Sequence, residues 1–181
     1  VLVVRLRSIG DTVLSTPSLI ALRRFLPNAR IDVLLESWCA PVLEGFEAID
    51  NTLTVEKTTQ SRLQTAWKIR RNKYDVAFNL HGGTTATSFV RASGAKHRIG
   101  FSNYQYSFLY NHLLSSSSDF WQQEKTHSAE QQLALLGFVG IPVKDRPKSH
   151  LTITDLAKKS IEEKLNQSVI QNPQSKIALI H

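Results

Sequence analysis

The chain is predicted to be an α/β protein, a Rossmann-like doubly wound parallel sheet, and three observations predict it. Short, continuous β-branched runs read as strands buried on both faces. Amphipathic stretches of about 10 to 15 residues separate them, the spacing of β-α-β units. With 181 residues, 41% hydrophobic and 20% charged, the chain can also bury one sizeable core.

Val1-Leu2-Val3-Val4-Arg5-Leu6 is the first strand run. Leu14, Ala21, Leu22 and Phe25 recur at helical spacing, and that helix stops at Pro27-Asn28. Ile31–Leu35 follows as the second strand and Thr52–Val55 as the third. A helix over Ser61–Asn72, a strand over Tyr74–Leu80, a helix over Thr84–Ala92 and a strand at His97–Phe101 continue the alternation. Past the serine run Ser115–Ser118, a helix from Ser128 to Val139 carries Ala129, Leu133 and Leu136 on one face and ends at Gly140-Ile141-Pro142. The polar, proline-bracketed stretch Pro142–Pro147 is the expected linker. Thr154 then caps a helix to Ser168 with Lys158/Glu162 and Lys159/Glu163 pairs, and Lys176–His181 reads as one more buried strand. A strand with no helix after it, in a chain without methionine, implies that the gene product is longer.

No apolar run approaches the roughly 18 to 20 residues that span a bilayer, and no basic leader precedes Val1, which implies a soluble, cytoplasmic protein. Cys39 is the only cysteine, which rules out an intramolecular disulfide and is expected to be a buried small hydrophobe beside Trp38. The histidines His81, His97, His112, His127, His150 and His181 show no pair at metal-ligand spacing, so no metal is expected. The sequence lacks a nucleophile elbow, a Walker loop and a G-x-G-x-x-G fingerprint after its first strand. Lys plus Arg exceed Asp plus Glu by 22 to 15, a net +7 that signals an anionic partner. The densest basic cluster, Lys68, Arg70, Arg71 and Lys73, ends a helix and there complements its dipole, which points away from nucleic acid.

Ligands of an open parallel sheet bind beyond the carboxyl ends of its strands, so the loops after Leu6, Leu35, Leu80 and Phe101 are where chemistry is sought. The first contains Arg7-Ser8-Ile9-Gly10-Asp11-Thr12, in which Gly10 permits a tight turn. Asp11 is there either a helix N-cap or a general base, an ionised carboxylate near Arg5 and Arg7 able to take a proton from a hydroxyl. Thr16-Pro17 as N-cap and first helical residue frees Asp11 from capping; a helix starting at Asp11 is instead kinked by Pro17. His81-Gly82-Gly83 either lets a ligand approach backbone amides at a helix start or is a plain turn.

These residues resemble the heptosyltransferases of glycosyltransferase family nine. The likeness lies in Val3 to Pro17, Leu22-Arg23-Arg24, Pro27-Asn28-Ala29, Leu80 to Gly83, Ser93 to Phe101, Leu109-Tyr110-Asn111 and His127 to Glu130, in that order. It implies the N-terminal domain of a GT-B fold: an acceptor-binding Rossmann-like domain over 1–145, a linker and connecting helix over 146–174, and over 175–181 the first strand of a donor-binding domain. It implies inverting, metal-independent transfer of heptose from ADP-heptose, a substrate and not a cofactor, to the anionic inner core of lipopolysaccharide. Asp11 is then the base, and Arg7, Ser8, Gly10, Thr12, His81, Gly82, Gly83, Lys96 and Arg98 are the expected substrate contacts. The place of action is the cytoplasmic face of the inner membrane, touched transiently, and this chain alone is expected to be inactive. Two other readings stay open: a different GT-B nucleotide-sugar enzyme, and a non-catalytic α/β module that binds anions or glycans.

Overall fold

A computed structural model describes residues 1–167 of the chain. The strands are β1 (Leu2–Val4), β2 (Asp32–Glu36), β3 (Asn51–Val55), β4 (Val76–Asn79), β5 (His97–Phe101) and β6 (His112–Leu114). The helices are α1 (Ile9–Val13), α2 (Thr16–Phe25), α3 (Thr59–Arg71), α4 (Gly83–Ser93), α5 (Ser117–Trp121), α6 (Ser128–Phe138) and α7 (Asp155–Gln167). The strand expected at Lys176–His181 and the end of the last helix at Ser168 lie outside the described residues.

All neighbouring strands pair in parallel, in the order β3-β2-β1-β4-β5-β6. The chain winds outward from β1 to β3, crosses back to place β4 beside β1, and winds outward again to β6. Alternate residues of β1 feed opposite layers, as the pleat requires. Val3 joins Leu19, Leu22, Val33, Phe78 and Leu133 beneath α2 and α6. Leu2 and Val4 join Leu34, Leu53, Ile69, Phe89 and Val90 beneath α3 and α4.

The first helical region is two helices, so Pro17 bends nothing. Leu14 and Ser15 separate α1 from α2, Ser15 takes the N-cap position, and Pro17 falls in the first turn of α2, where its missing N–H removes no bond. Thr16, expected as the cap, is the first residue of α2 and bonds back to the Val13 carbonyl at 2.7 Å. Short elements escaped the periodicity argument: β6, α5 and the 3-10 turn Ser37–Leu43 that buries Cys39. The segment after α6 is fastened to the layer below it. His150 N–H donates to Thr16 Oγ1 at 2.9 Å, the His150 ring stacks on Phe46, and Asp145 pairs with Arg24 at 2.6 Å. In α7, Lys158 reaches back to Asp155 at 3.1 Å. No helix among the described residues is long and apolar enough to cross a membrane.

Candidate functional site

The winding direction reverses between β1 and β4, so the loops leaving these two strands part and open a crevice at their carboxyl ends. A cleft of about 450 Å³ occupies that place, lined by Arg5, Asp11 and His81 from the β1 and β4 loops. Phe101 at the end of β5, Asn103 and Tyr104 after it, the serines after β6, and Gln131, Gln132 and Leu135 of α6 close its other side.

Arg5 organises the floor. It follows the last residue of β1 with its side chain 7% exposed, and NH2 meets Asp11 Oδ2 at 2.6 Å. NH1 donates to the Leu80 carbonyl at 3.1 Å and lies 3.0 Å from His81 Nδ1. A guanidinium has no lone pair to offer, so Nδ1 accepts and the neutral ring carries its proton on Nε2. Burial lowers the Arg5 pKa, and the Asp11 charge pushes it back up. Burial is also the largest cause lowering the His81 pKa, followed by the charges of Arg5 and Arg7.

Asp11 sits in the first turn of α1 but does not cap it. Ser8 holds the N-cap position, and Ser8 Oγ donates to Asp11 Oδ2 at 3.2 Å. The capping alternative is thus set aside: the carboxylate turns to Arg5 and the cleft, with its side chain 40% exposed. Gly10 lies within α1, and a β-carbon on it would meet nothing within 4 Å, so this turn does not require a glycine. Thr12 is fully buried, its hydroxyl bonded to the Ser8 carbonyl at 2.6 Å. Arg7 is half exposed, 3.7 Å from Glu36, whose other oxygen accepts from Trp38 Nε1 at 2.9 Å.

The β4 loop is built differently from the expectation of open amides. The N–H groups of His81 and Gly82 both donate to Asn79 Oδ1, at 3.0 and 2.9 Å, so they are not offered to a ligand. Asn79 Nδ2 in turn donates to the Tyr110 hydroxyl at 2.6 Å, and that hydroxyl donates to Thr87 at 2.8 Å. Gly82 and Gly83 have φ of +73° and +70°, a backbone region costly for other residues. A β-carbon on Gly82 would also stand 3.1 Å from the Tyr104 ring. Of His81, Gly82 and Gly83, only His81 lines the cleft.

Lys96 and Arg98 lie at the amino end of β5, the rim opposite the cleft. Arg98 is engaged there with the carbonyls of Leu109 and Ala95 at 2.7 Å each. The structure therefore gathers Asp11 and His81 at one site, keeps Arg7 and Ser8 beside it, and leaves Lys96 and Arg98 at the far rim. Arg5, Asn79, Tyr104 and the α6 glutamines were not singled out from sequence. For Arg5 and Asn79 a signal existed: each is a polar residue inside an otherwise apolar strand run. His97 and His112, distant in sequence, also meet at 3.0 Å across β5 and β6. No cluster of three or more His, Cys, Asp or Glu residues suited to a metal occurs among the described residues.

Because folded His81 resists protonation, the stability it lends the fold depends on pH. Above about pH 6.5 the imidazole is neutral folded or unfolded, and its contribution to stability is fully present. As pH falls below that value the unfolded chain takes up a proton that folded His81 resists, so stability declines. The urea midpoint of His81→Gln is expected to fall less than that of the wild type between pH 7 and pH 5. Parallel declines in the two proteins would remove this assignment.

No family model matches the chain. The chain is 27% identical over 157 residues to lipopolysaccharide heptosyltransferase 3 of Escherichia coli strain K12, an overlap of 73% of the chain and 40% of that protein. It therefore spans about 40% of the length of this curated relative. In fold it is similar to a glycosyltransferase family 9 structure from Veillonella parvula, with a TM-score of 0.77 at 21% identity over 91% of this chain and 48% of that one. It is likewise similar to ADP-heptose lipopolysaccharide heptosyltransferase II of Escherichia coli, with a TM-score of 0.72 at 20% identity over 93% and 51%. The sheet and its helices thus share the α/β fold of the corresponding part of these structures.

Proposed function

We propose that the chain forms the acceptor-side domain of an inverting glycosyltransferase that moves heptose from ADP-heptose to the lipopolysaccharide inner core, with Asp11 as general base. The observation that carries this reading is the Asp11 carboxylate, held by Arg5 at 2.6 Å at the rim of the β1/β4 crevice and partly open to it. Both the Arg5 and the Ser8 contacts fall on Oδ2, so Oδ1 is the oxygen assigned to take the acceptor proton as that hydroxyl attacks the anomeric carbon. Arg5 stabilises the carboxylate and fixes its direction, and neutral His81, whose ring is held by Arg5 and by the Arg7 backbone, is assigned to line the acceptor site. Under this reading no metal is required, and residues beyond this domain hold the donor. The full-length protein is expected to transfer heptose from ADP-heptose to an inner-core lipid acceptor, equally well with and without a chelator. Transfer only from a different nucleotide sugar would overturn the donor, and loss of transfer on chelation would overturn the metal-free mechanism.

The acceptor class also bears on a membrane contact, for which α3 offers a surface. Its outward side exposes Leu63 (67%) and Trp67 (62%), and the Arg71 guanidinium lies 4.4 Å from the Trp67 ring. Arg62, Lys68 and Arg70 accompany them, and residues 59–71 include no acidic side chain. Apolar anchors within a cationic helix face match an anionic lipid surface. The protein is expected to sediment with vesicles containing phosphatidylglycerol, and Arg71→Gln to bind them about fivefold more weakly. Equal binding to purely zwitterionic vesicles would overturn this contact.

A further inference from the structure

The cleft beside Asp11 is chemically lopsided. The overall charge is +7, yet among the described residues lining the cleft Arg5 alone bears a fixed positive charge, and it is engaged by Asp11, Leu80 and His81. The opposite wall is neutral and polar: Ser115 and Ser117 after β6, with Ser128, Gln131 and Gln132 from α6. Gln132 stands out on that wall, because it is 6% exposed and its Oε1 is buried with no hydrogen-bond partner. Leaving a buried acceptor unmatched is costly, and at the edge of a cleft the partner that relieves the cost is a water or a bound ligand.

We propose that the α5–α6 wall is a subsite for the uncharged ring of a sugar, in which Gln132 Oε1 accepts a hydrogen bond from a ring hydroxyl while Asp11 faces the reacting one. This rests on the transferase reading for its account of Asp11, and it adds the class of group read there: neutral hydroxyls, with the anionic parts of the acceptor held outside the cleft. A phosphate does not suit the cleft, since it brings acceptors to a space whose one wall holds an unmatched acceptor and whose other side holds the Asp11 carboxylate. Ring hydroxyls bring donors. A volume of about 450 Å³ is within the range of small-ligand sites.

Two measurements on the full-length protein test this. In Gln132→Leu, which removes the amide at similar size, KM for the inner-core acceptor is expected to rise about tenfold with kcat little changed. The thermal midpoint is expected to hold or rise, because a buried unmatched acceptor has gone. In the wild type, the Gln132 side-chain amide resonances are expected to shift on titration with methyl α-mannopyranoside and to stay in place with inorganic phosphate. An unchanged KM in Gln132→Leu, or a shift driven equally by phosphate, overturns the subsite. The two readings fail separately. Asp11→Asn that transfers normally sinks the base while the sugar-induced shift still supports the subsite, and an absent shift in an active enzyme sinks the subsite alone.

Discussion

Asp11→Asn is expected to lower kcat for sugar transfer by about 100- to 10,000-fold, the usual contribution of a positioned general base. Asparagine keeps an oxygen that can face the Arg5 guanidinium but has no lone pair basic enough to take a hydroxyl proton. The effect is expected to fall on kcat, with KM for donor and acceptor nearly unchanged, since the proton moves only as the acceptor attacks. Because the Asp11 side chain is 40% exposed and α1 does not depend on it for a cap, the urea midpoint is expected to move little. Steady-state kinetics paired with a denaturation curve checks both statements. A kcat near that of the wild type would remove Asp11 from the chemistry.

The second large effect is expected at Arg5, and there stability suffers together with activity. Arg5→Met removes the donor that serves the Leu80 carbonyl, the Asp11 carboxylate and His81 Nδ1 at once. Leaving the buried Leu80 carbonyl and the half-buried His81 ring without their donor costs about 1 to 3 kcal/mol, the Asp11 share being screened by solvent because its side chain is 40% exposed; the loss is read as a lowered urea midpoint at unchanged slope. Losing the cation also removes one of the causes that depress the His81 titration, so that imidazole is expected to take up its proton at higher pH, visible in its ring-proton resonances. Arg5→Lys is expected to recover only part of the loss, since a single ammonium cannot match the planar fork that reaches these partners in different directions. Wild-type stability in Arg5→Met would show that the three contacts are dispensable.

Much of the architecture was legible because burial imposes a pattern. A strand covered on both faces is largely apolar, and the runs at Val1–Leu6, Ile31–Leu35 and Tyr74–Leu80 each overlap a central strand of the sheet, β2 running one residue further to Glu36. Where burial is partial the signal fades. β6 has three residues and α5 has five, too few for any periodicity to emerge, and the serine run ahead of α5 looked featureless although Ser116 Oγ caps that helix through the N–H of Ser118 at 3.0 Å. In the site, Asp11 and His81 were found because strand-end loops are where a parallel sheet presents ligands. Lys96 and Arg98 shared the right segment but not the right end of the strand, and which residues a strand contains does not by itself say how side chains beyond its ends are spent.

The sequence alone determined the α/β class, the helix and strand alternation and the loop that carries Asp11, because local pattern follows from solvent exposure and backbone preference. Only the tertiary structure decided that Arg5 would join Asp11 to His81, that Asn79 would take the amides of the β4 loop, and that α6 would bring Gln132 to the same cleft. Those partners are about 70 residues or more from Arg5 in the chain except for Asp11, and nothing in a local pattern encodes such distances. The order in which the strands assemble sets them, through the reversal of winding between β1 and β4.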